Sequence, residues 1–231
     1  MKQKKSTTFY CFSPAVMVAT FIIEIVSALF VLYRYKRSKL AWSIVALLVC
    51  LGAFQLAEYF VCTNSSVAIT AARLGFVAIT FLPPLGLYTM SLLTGRTNGQ
   101  YIRFTFVLAS LLAVYFMLAP QAFSSYQCTG NYVIFQIGSN VTMLYSIYYF
   151  GLIGQSIIKG VYFLRRKLTD QNRNAVRWFL AGHAFFIVPV AVLNVFHPDT
   201  QYAIPSILCG FAVTLALVLV AKIAPLTLEV K

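Results

Sequence analysis

The sequence predicts an all-α fold, a polytopic membrane bundle of seven transmembrane helices that fills residues 1–231 as a single domain. Three observations carry this expectation. Sixty per cent of the residues are hydrophobic and only 10% are charged, where an ordinary soluble domain holds about a quarter charged. Mean hydropathy is +0.81. Apolar runs of about twenty residues, enough to cross a bilayer as helix, recur between short polar or basic turns.

Taken in order, the basic and polar start MKQKKSTTFY has the look of a signal-peptide head. The apolar run that follows, 12–33, is too long for a signal h-region and contains Glu24, so it is read as helix one. The basic turn with Arg34, Lys36, Arg37 and Lys39 leads to helix two, 40–62. A TNSS turn then opens helix three, 67–93, in which Pro83 and Pro84 predict a kink because proline donates no backbone hydrogen bond. Helix four spans 104–123. A longer loop, SSYQCTGNYVIFQIGSN, precedes helix five at 141–163. The strongly basic RRKLTDQNRNAVR leads to helix six, 175–196, with Pro189 inside it, and HPDTQ turns into helix seven, 203–224.

Orientation follows from the Lys and Arg count. Fourteen of the eighteen fall on the side of loops one–two, three–four and five–six and the C-terminal end; Lys2, Lys4, Lys5 and Arg73 fall on the other. Basic residues stay cytoplasmic, which predicts the N-terminus outside and the C-terminus in the cytoplasm. The net charge of +13 is therefore assigned to the lipid bilayer and to a cytoplasmic partner at loops 34–39 and 165–177, not to nucleic acid. No Cys-x-x-Cys, His-rich or Gly-rich phosphate motif occurs, and no cofactor or bound metal is predicted.

Polar residues inside the slab mark candidate sites, because an unpaired ionised side chain in a membrane helix costs about 2.5–3.5 kcal/mol on insertion scales. Glu58 lies about four residues, ~6 Å, below the outer end of helix two, and Arg73 about six residues, ~9 Å, below that of helix three. The short turn makes these helices antiparallel neighbours, so the two residues are expected to meet. Two readings stand: a salt bridge that locks the hairpin, or an outward-facing polar pocket in which Gln55, Glu58, Arg73 and His197 hold a small-molecule or lipid ligand. Glu24, near mid-membrane with Thr20 and Ser27 on its face, is expected as a protonated, hydrogen-bonded carboxyl or as a proton relay. His183, Asn194 and His197 share one stripe of helix six. Glu58, His197 and Asp199 have the residue types of a metal site without a compelling spacing. Tyr145, Tyr148 and Tyr149 read as core packing with satisfied hydroxyls. Cys50 and Cys209 read as small packing residues. Cys11, Cys62 and Cys128 share the outer side; a Cys62–Cys128 disulfide is favoured, with Cys11 able to replace either partner. Asn64-Ser-Ser and Asn140-Val-Thr match a glycosylation sequon.

The run ARLGFVAITFLPPLGLYTMSLLTGR, the basic loop before helix six and the seven-helix plan resemble the sensor region that precedes many bacterial histidine kinases. Cys-Phe-Ser at 11–13 with Gln55-x-x-Glu58 is similar to small uncharacterised bacterial membrane proteins that share a CFS start and a Q-x-x-E motif. The first resemblance implies signal input from outside or from within the bilayer of a bacterial inner membrane. Seven residues follow helix seven, so a stand-alone module without its own output domain is expected. The second marks Cys11, Gln55 and Glu58. A proton-coupled small-solute transporter using Glu24 and Glu58 is the alternative. An intramembrane lipid-modifying enzyme fits less well, because two histidines and five acids make a sparse catalytic set.

Overall fold

A computed structural model describes residues 13–64, 66–123, 125–128, 133–166, 168–196 and 203–231. About 83% of the chain is helical, and seven helices are long and apolar enough to cross a membrane. The first two spans are α1 (Pro14–Arg34) and α2 (Lys39–Thr63). The third is split into α3 (Ala68–Thr80) and α4 (Leu82–Leu93), and the fourth is α5 (Gly99–Leu118). A hairpin of β1 (Ser125–Cys128) and β2 (Val133–Gln136) then precedes α6 (Ser139–Leu164), α7 (Asp170–Phe196) and α8 (Ile204–Val218). A π turn, Leu219–Ile223, and a short α9, Ala224–Thr227, complete the seventh span. The fourth span begins five residues before the expected 104, at Gly99, because Asn98 caps it by accepting from the Tyr101 N–H (3.2 Å).

The bundle is inside-out compared with a soluble protein. Ile22, Val26 and Leu29 on α1, and Val107, Leu111 and Val114 on α5, are exposed at helical spacing. Such continuous apolar faces suit acyl chains and would be an aggregation surface in water. Small residues bring α2 and α3 together: a Cβ added to Gly75 would sit 2.9 Å from that of Ala57 and 3.2 Å from the Phe54 ring. This close packing sets the relative height of the two helices, with Ala57 level with Gly75.

The proline pair breaks the third span as well as bending it. Pro84 has no N–H for the Thr80 carbonyl, and the Tyr148 hydroxyl on α6 donates to that carbonyl instead (2.7 Å). Thr80 Oγ1 donates to Phe76 O (2.6 Å) and lies 3.2 Å from the Tyr145 hydroxyl. Backbone groups freed by a proline inside a membrane helix persist only where neighbours satisfy them, and α6 carries tyrosines at that level. The π turn has a related origin: Pro225 cannot bond back to Ala221, so the ladder widens and the Ala224 N–H reaches Leu219 O.

The two ends of the bundle differ. At one, Cys62 at the end of α2 is joined to Cys128 of β1 with Cα atoms 5.6 Å apart. Cys11 lies outside the described residues. At the other end lie the basic turns, and the C-terminal strip is tied to the first of them. Tyr35 pairs with Val230, the Lys36 N–H donates to Glu229 O (2.7 Å), and Lys36 Nζ bonds Glu229 Oε2 (3.0 Å).

Candidate functional site

At its Thr63 end, helix α2 turns Phe54, Ala57 and Val61 to one side and Gln55 and Glu58 to another, and that difference decides the site. Phe54, Ala57 and Val61 are buried at i, i+3 and i+7, and Phe54 and Ala57 pack on α3 at Gly75. Gln55 and Glu58 lie about 100° further round the helix. Glu58 therefore turns away from α3 and reaches Ser206 near the start of α8. Ser206 Oγ in turn accepts from the Val133 N–H of β2 (3.1 Å), which leaves the serine proton free to donate to the Glu58 carboxyl.

The expected contact between Glu58 and Arg73 is not made. The two residues sit at nearly one level, but their side chains leave on different faces. Arg73 Nη1 donates to Met117 O (2.6 Å) and Phe116 O (3.4 Å), and Nη2 to Ala119 O (3.1 Å). These carbonyls end α5, where the helix has no amide left to bond them and its dipole is negative. Arg73 is a helix cap. Among the described residues the ion pairs are Lys36–Glu229 and Arg173–Asp170, both at the surface.

On α1 the buried stripe is Met17, Thr20, Glu24, Ala28 and Val31. Glu24 is 0% exposed, and neither carboxyl oxygen has a hydrogen-bond partner among the described residues. The expected hydrogen-bonded carboxyl is corrected accordingly. Thr20, one turn away, donates to Met17 O (2.9 Å) and Val16 O (3.0 Å), so its proton is already engaged. Gln55 and Glu58 are each 2% exposed, and Gln55 Nε2 and Glu58 Oε1 are also unpartnered. Glu24 and Glu58 both lie within electrostatic reach of the Cys209 thiol on α8, one turn below Ser206. The buried polar residues are thus Glu58 in contact with Ser206, Gln55 one turn below on α2, and Glu24 deeper, near the level of Gly52, which packs on Ile25.

The β-hairpin lies over the Glu58 end of these residues. Its Phe135 ring stacks with Phe76 (5.2 Å between centroids) and Phe54 (6.2 Å), while the disulfide holds β1 to α2 one turn beyond Glu58. An outward-facing pocket built on Gln55, Glu58 and Arg73 does not occur here: the first two are sealed under the hairpin and the third caps α5.

A cavity of about 40 Å³, room for two or three water molecules, lies deeper in the bundle. Pro83, Gly86, Tyr149, Ser156, His183 and Cys209 are among its walls. His183 Nδ1 is 2.9 Å from Phe179 O. A carbonyl only accepts, so Nδ1 carries the hydrogen, and Nε2 lies on the side of Gly86. Cys209 both lines this cavity and faces the two carboxyls.

Compared with protein-family models, curated proteins and solved structures, the chain matches none.

Sequence reasoning singled out Glu24, Gln55, Glu58 and His183, and the structure buries the first three and puts His183 at the deeper cavity. It separates Arg73 from them. His197 and Asp199 lie outside the described residues, as does any contact of theirs. Among the described residues no three His, Cys, Asp or Glu side chains converge as metal ligands. Ser206 and Cys209 were missed. Their i, i+3 spacing on the last span was the available signal, but small residues at that spacing also mark ordinary helix packing.

Proposed function

We propose that the chain is a sensory or ligand-binding integral membrane module whose ligand is held inside the bundle by Glu24, Gln55 and Glu58. One observation carries the reading. Four polar atoms on three side chains at or below 2% exposure have no partner, and each unmet buried group costs about 1–3 kcal/mol. A ligand that returns those hydrogen bonds gains that energy on binding. Two carboxyls ask for a donor, as in an ammonium or amide group, and the Gln55 amide asks for an acceptor. The resemblance of the apolar pattern to histidine-kinase sensor regions supports the same reading.

We place the disulfide end outside and the basic end in the cytoplasm of a bacterial inner membrane. The Lys and Arg asymmetry supports this orientation, and so does the Cys62–Cys128 bond, which suits an oxidising compartment. Loops 34–39 and 165–177 would then face a cytoplasmic partner. A reporter active only in the cytoplasm, fused after Lys231, is expected to be active; silence in a well-expressed fusion would reverse the orientation.

The test of the ligand reading is native mass spectrometry of the protein extracted gently from its own membrane. A reproducible bound mass, lost in both Glu24→Gln and Glu58→Gln, is expected. A bare mass, or an adduct indifferent to both variants, would reject the site.

A proton-coupled transporter is the second reading, favoured by the broken third span and the π turn in the seventh. Interrupted helices line the sites of many carriers. Solute uptake into proteoliposomes that Glu24→Gln abolishes would replace the sensory reading.

A further inference from the structure

We propose that the cleft between Arg96 and Arg166, at the basic end of the bundle, binds the phosphate group of an anionic lipid headgroup. The cleft opens to the surface, encloses about 550 Å³, and is lined by Thr94, Arg96, Tyr162, Phe163, Arg166 and Leu168.

The backbone of Arg96 and the side chain of Arg166 are each held by their surroundings. Arg96 follows the end of α4. There Gly95 takes the left-handed conformation (φ 65°), its N–H donates to Leu92 O (3.1 Å), and the Arg96 N–H donates back to Ser91 O (3.1 Å). This is the Schellman arrangement, which fixes the direction of the chain leaving a helix. Lys159 Nζ of α6 secures it further by donating to Arg96 O (2.6 Å) and Ser91 Oγ (2.7 Å). Arg166 is steadied from the other wall: its guanidinium donates to the Tyr162 hydroxyl (2.6 Å) and lies 4.9 Å from that ring's centroid.

The charge of the cleft is uncompensated. Among the described residues no carboxylate lines it. Of the two acids at this end, Asp170 pairs with Arg173 (3.4 Å) and Glu229 with Lys36 (3.0 Å). The Arg96 guanidinium has no hydrogen-bond partner among the described residues. Two guanidinium forks without an acid, one steadied on Tyr162 and the other carried on a fixed backbone, match phosphate oxygens. The depth of the cleft points to a lipid source. It lies where the apolar spans end, at Leu93 and Leu164, and its aromatic and leucine walls offer contact to the glycerol and first acyl carbons below a phosphate. Basic pockets between membrane helices at such a level bind anionic headgroups.

The experiment uses the full chain in neutral detergent. Native mass spectrometry follows its titration with a short-chain phosphatidic acid, a short-chain phosphatidylcholine and inorganic phosphate, each separately and then in competition. One tightly held phosphatidic acid is expected. Arg96→Gln and Arg166→Gln should each weaken it about tenfold, the value of one lost charge-assisted contact. Arg103→Gln, exposed at the same end on α5, should weaken it less than about twofold, as expected for a screened surface charge. Equal loss in Arg103→Gln would mean diffuse attraction and overturn the site. Equal binding of phosphatidylcholine would overturn its selectivity for anionic headgroups. Displacement by inorganic phosphate at equal concentration would assign the cleft to free phosphate and overturn the lipid source. Should a glutamine variant fail to fold, the lysine variant decides. Severalfold weaker binding with the charge kept supports the forked contact, and unchanged binding overturns it.

Discussion

Arg73 and Lys159, two cations placed in the long apolar helices, contrast with the buried acids of α1 and α2. Each cation reaches the end of a neighbouring helix: Arg73 the carbonyls that close α5, Lys159 the Arg96 carbonyl just beyond α4 and the Ser91 hydroxyl in its last turn. Each therefore meets acceptor oxygens beside a negative dipole end. Glu24 and Glu58 point instead into the interior, where among the described residues Ser206 donates to Glu58 and Glu24 receives no hydrogen bond. A helix C-terminus supplies acceptors to a cation and an N-terminus supplies amides to a carboxyl, while both groups are used up along the body of a helix. Arg73 and Lys159 reach such an end and are absorbed into structure. Buried acids left unmatched are the better markers of a site.

The largest test concerns the hairpin that covers the acids. Cys62 and Cys128 are 66 residues apart, and in the chain-entropy account closing a loop of that length stabilises by about 4 kcal/mol. Cys128→Ser is expected to lower the thermal midpoint sharply and to open Glu58 to a water-soluble carbodiimide. Continued protection of Glu58 at a temperature where the variant is folded would show that the hairpin stays down without the bond.

The cation side of the contrast is tested by Arg73→Met. It strands the end of α5 and should cost about 2–3 kcal/mol, the scale of a hydrogen bond to a charged donor with its dipole contribution. The acid side should respond with the opposite sign. Glu24→Leu replaces an unmatched carboxyl by an apolar chain of similar size and is expected to stabilise by about 1–3 kcal/mol while removing ligand binding. Thermal unfolding in one detergent ranks the two variants. Destabilisation by Glu24→Leu would mean that Glu24 is matched within the fold and that the contrast fails.

The smallest expected effect is a null. Arg73→Ala and Glu58→Ala should add to within about 0.5 kcal/mol in a double-mutant cycle, because the residues share no partner. A coupling of 1 kcal/mol or more would restore the direct pairing that the α2 geometry denies.

How much was legible before the tertiary structure follows from these residues. Hydropathy alone placed the seven spans, because length and apolarity are local properties of the chain. The level of Glu58 and Arg73 was readable too, since a short turn between antiparallel helices sets height. Their failure to meet was not, although the face of Phe54 and Ala57 against that of Gln55 and Glu58 held the hint. Rotation about a helix axis depends on which neighbour takes which face, here on Gly75 admitting Ala57 and Phe54. The segment 124–140 is expected from the sequence only as a longer loop before helix five. Its strands are four residues each, and the hairpin is held by Phe135 packing, the Val133–Ser206 bond and the disulfide, none of which is local.

The sequence by itself determined the class of the protein, the positions of its spans and the asymmetry of its two ends, because each depends only on the composition of contiguous segments. Only the tertiary structure decided that Arg73 caps α5, that Tyr148 replaces the hydrogen bond Pro84 cannot make, and that Glu58 meets Ser206. These contacts join residues from 43 to 148 positions apart. A bundle of apolar helices can be packed in several rotations at similar hydrophobic gain. The choice rests on a few small residues and hydrogen bonds that become defined when the helices meet.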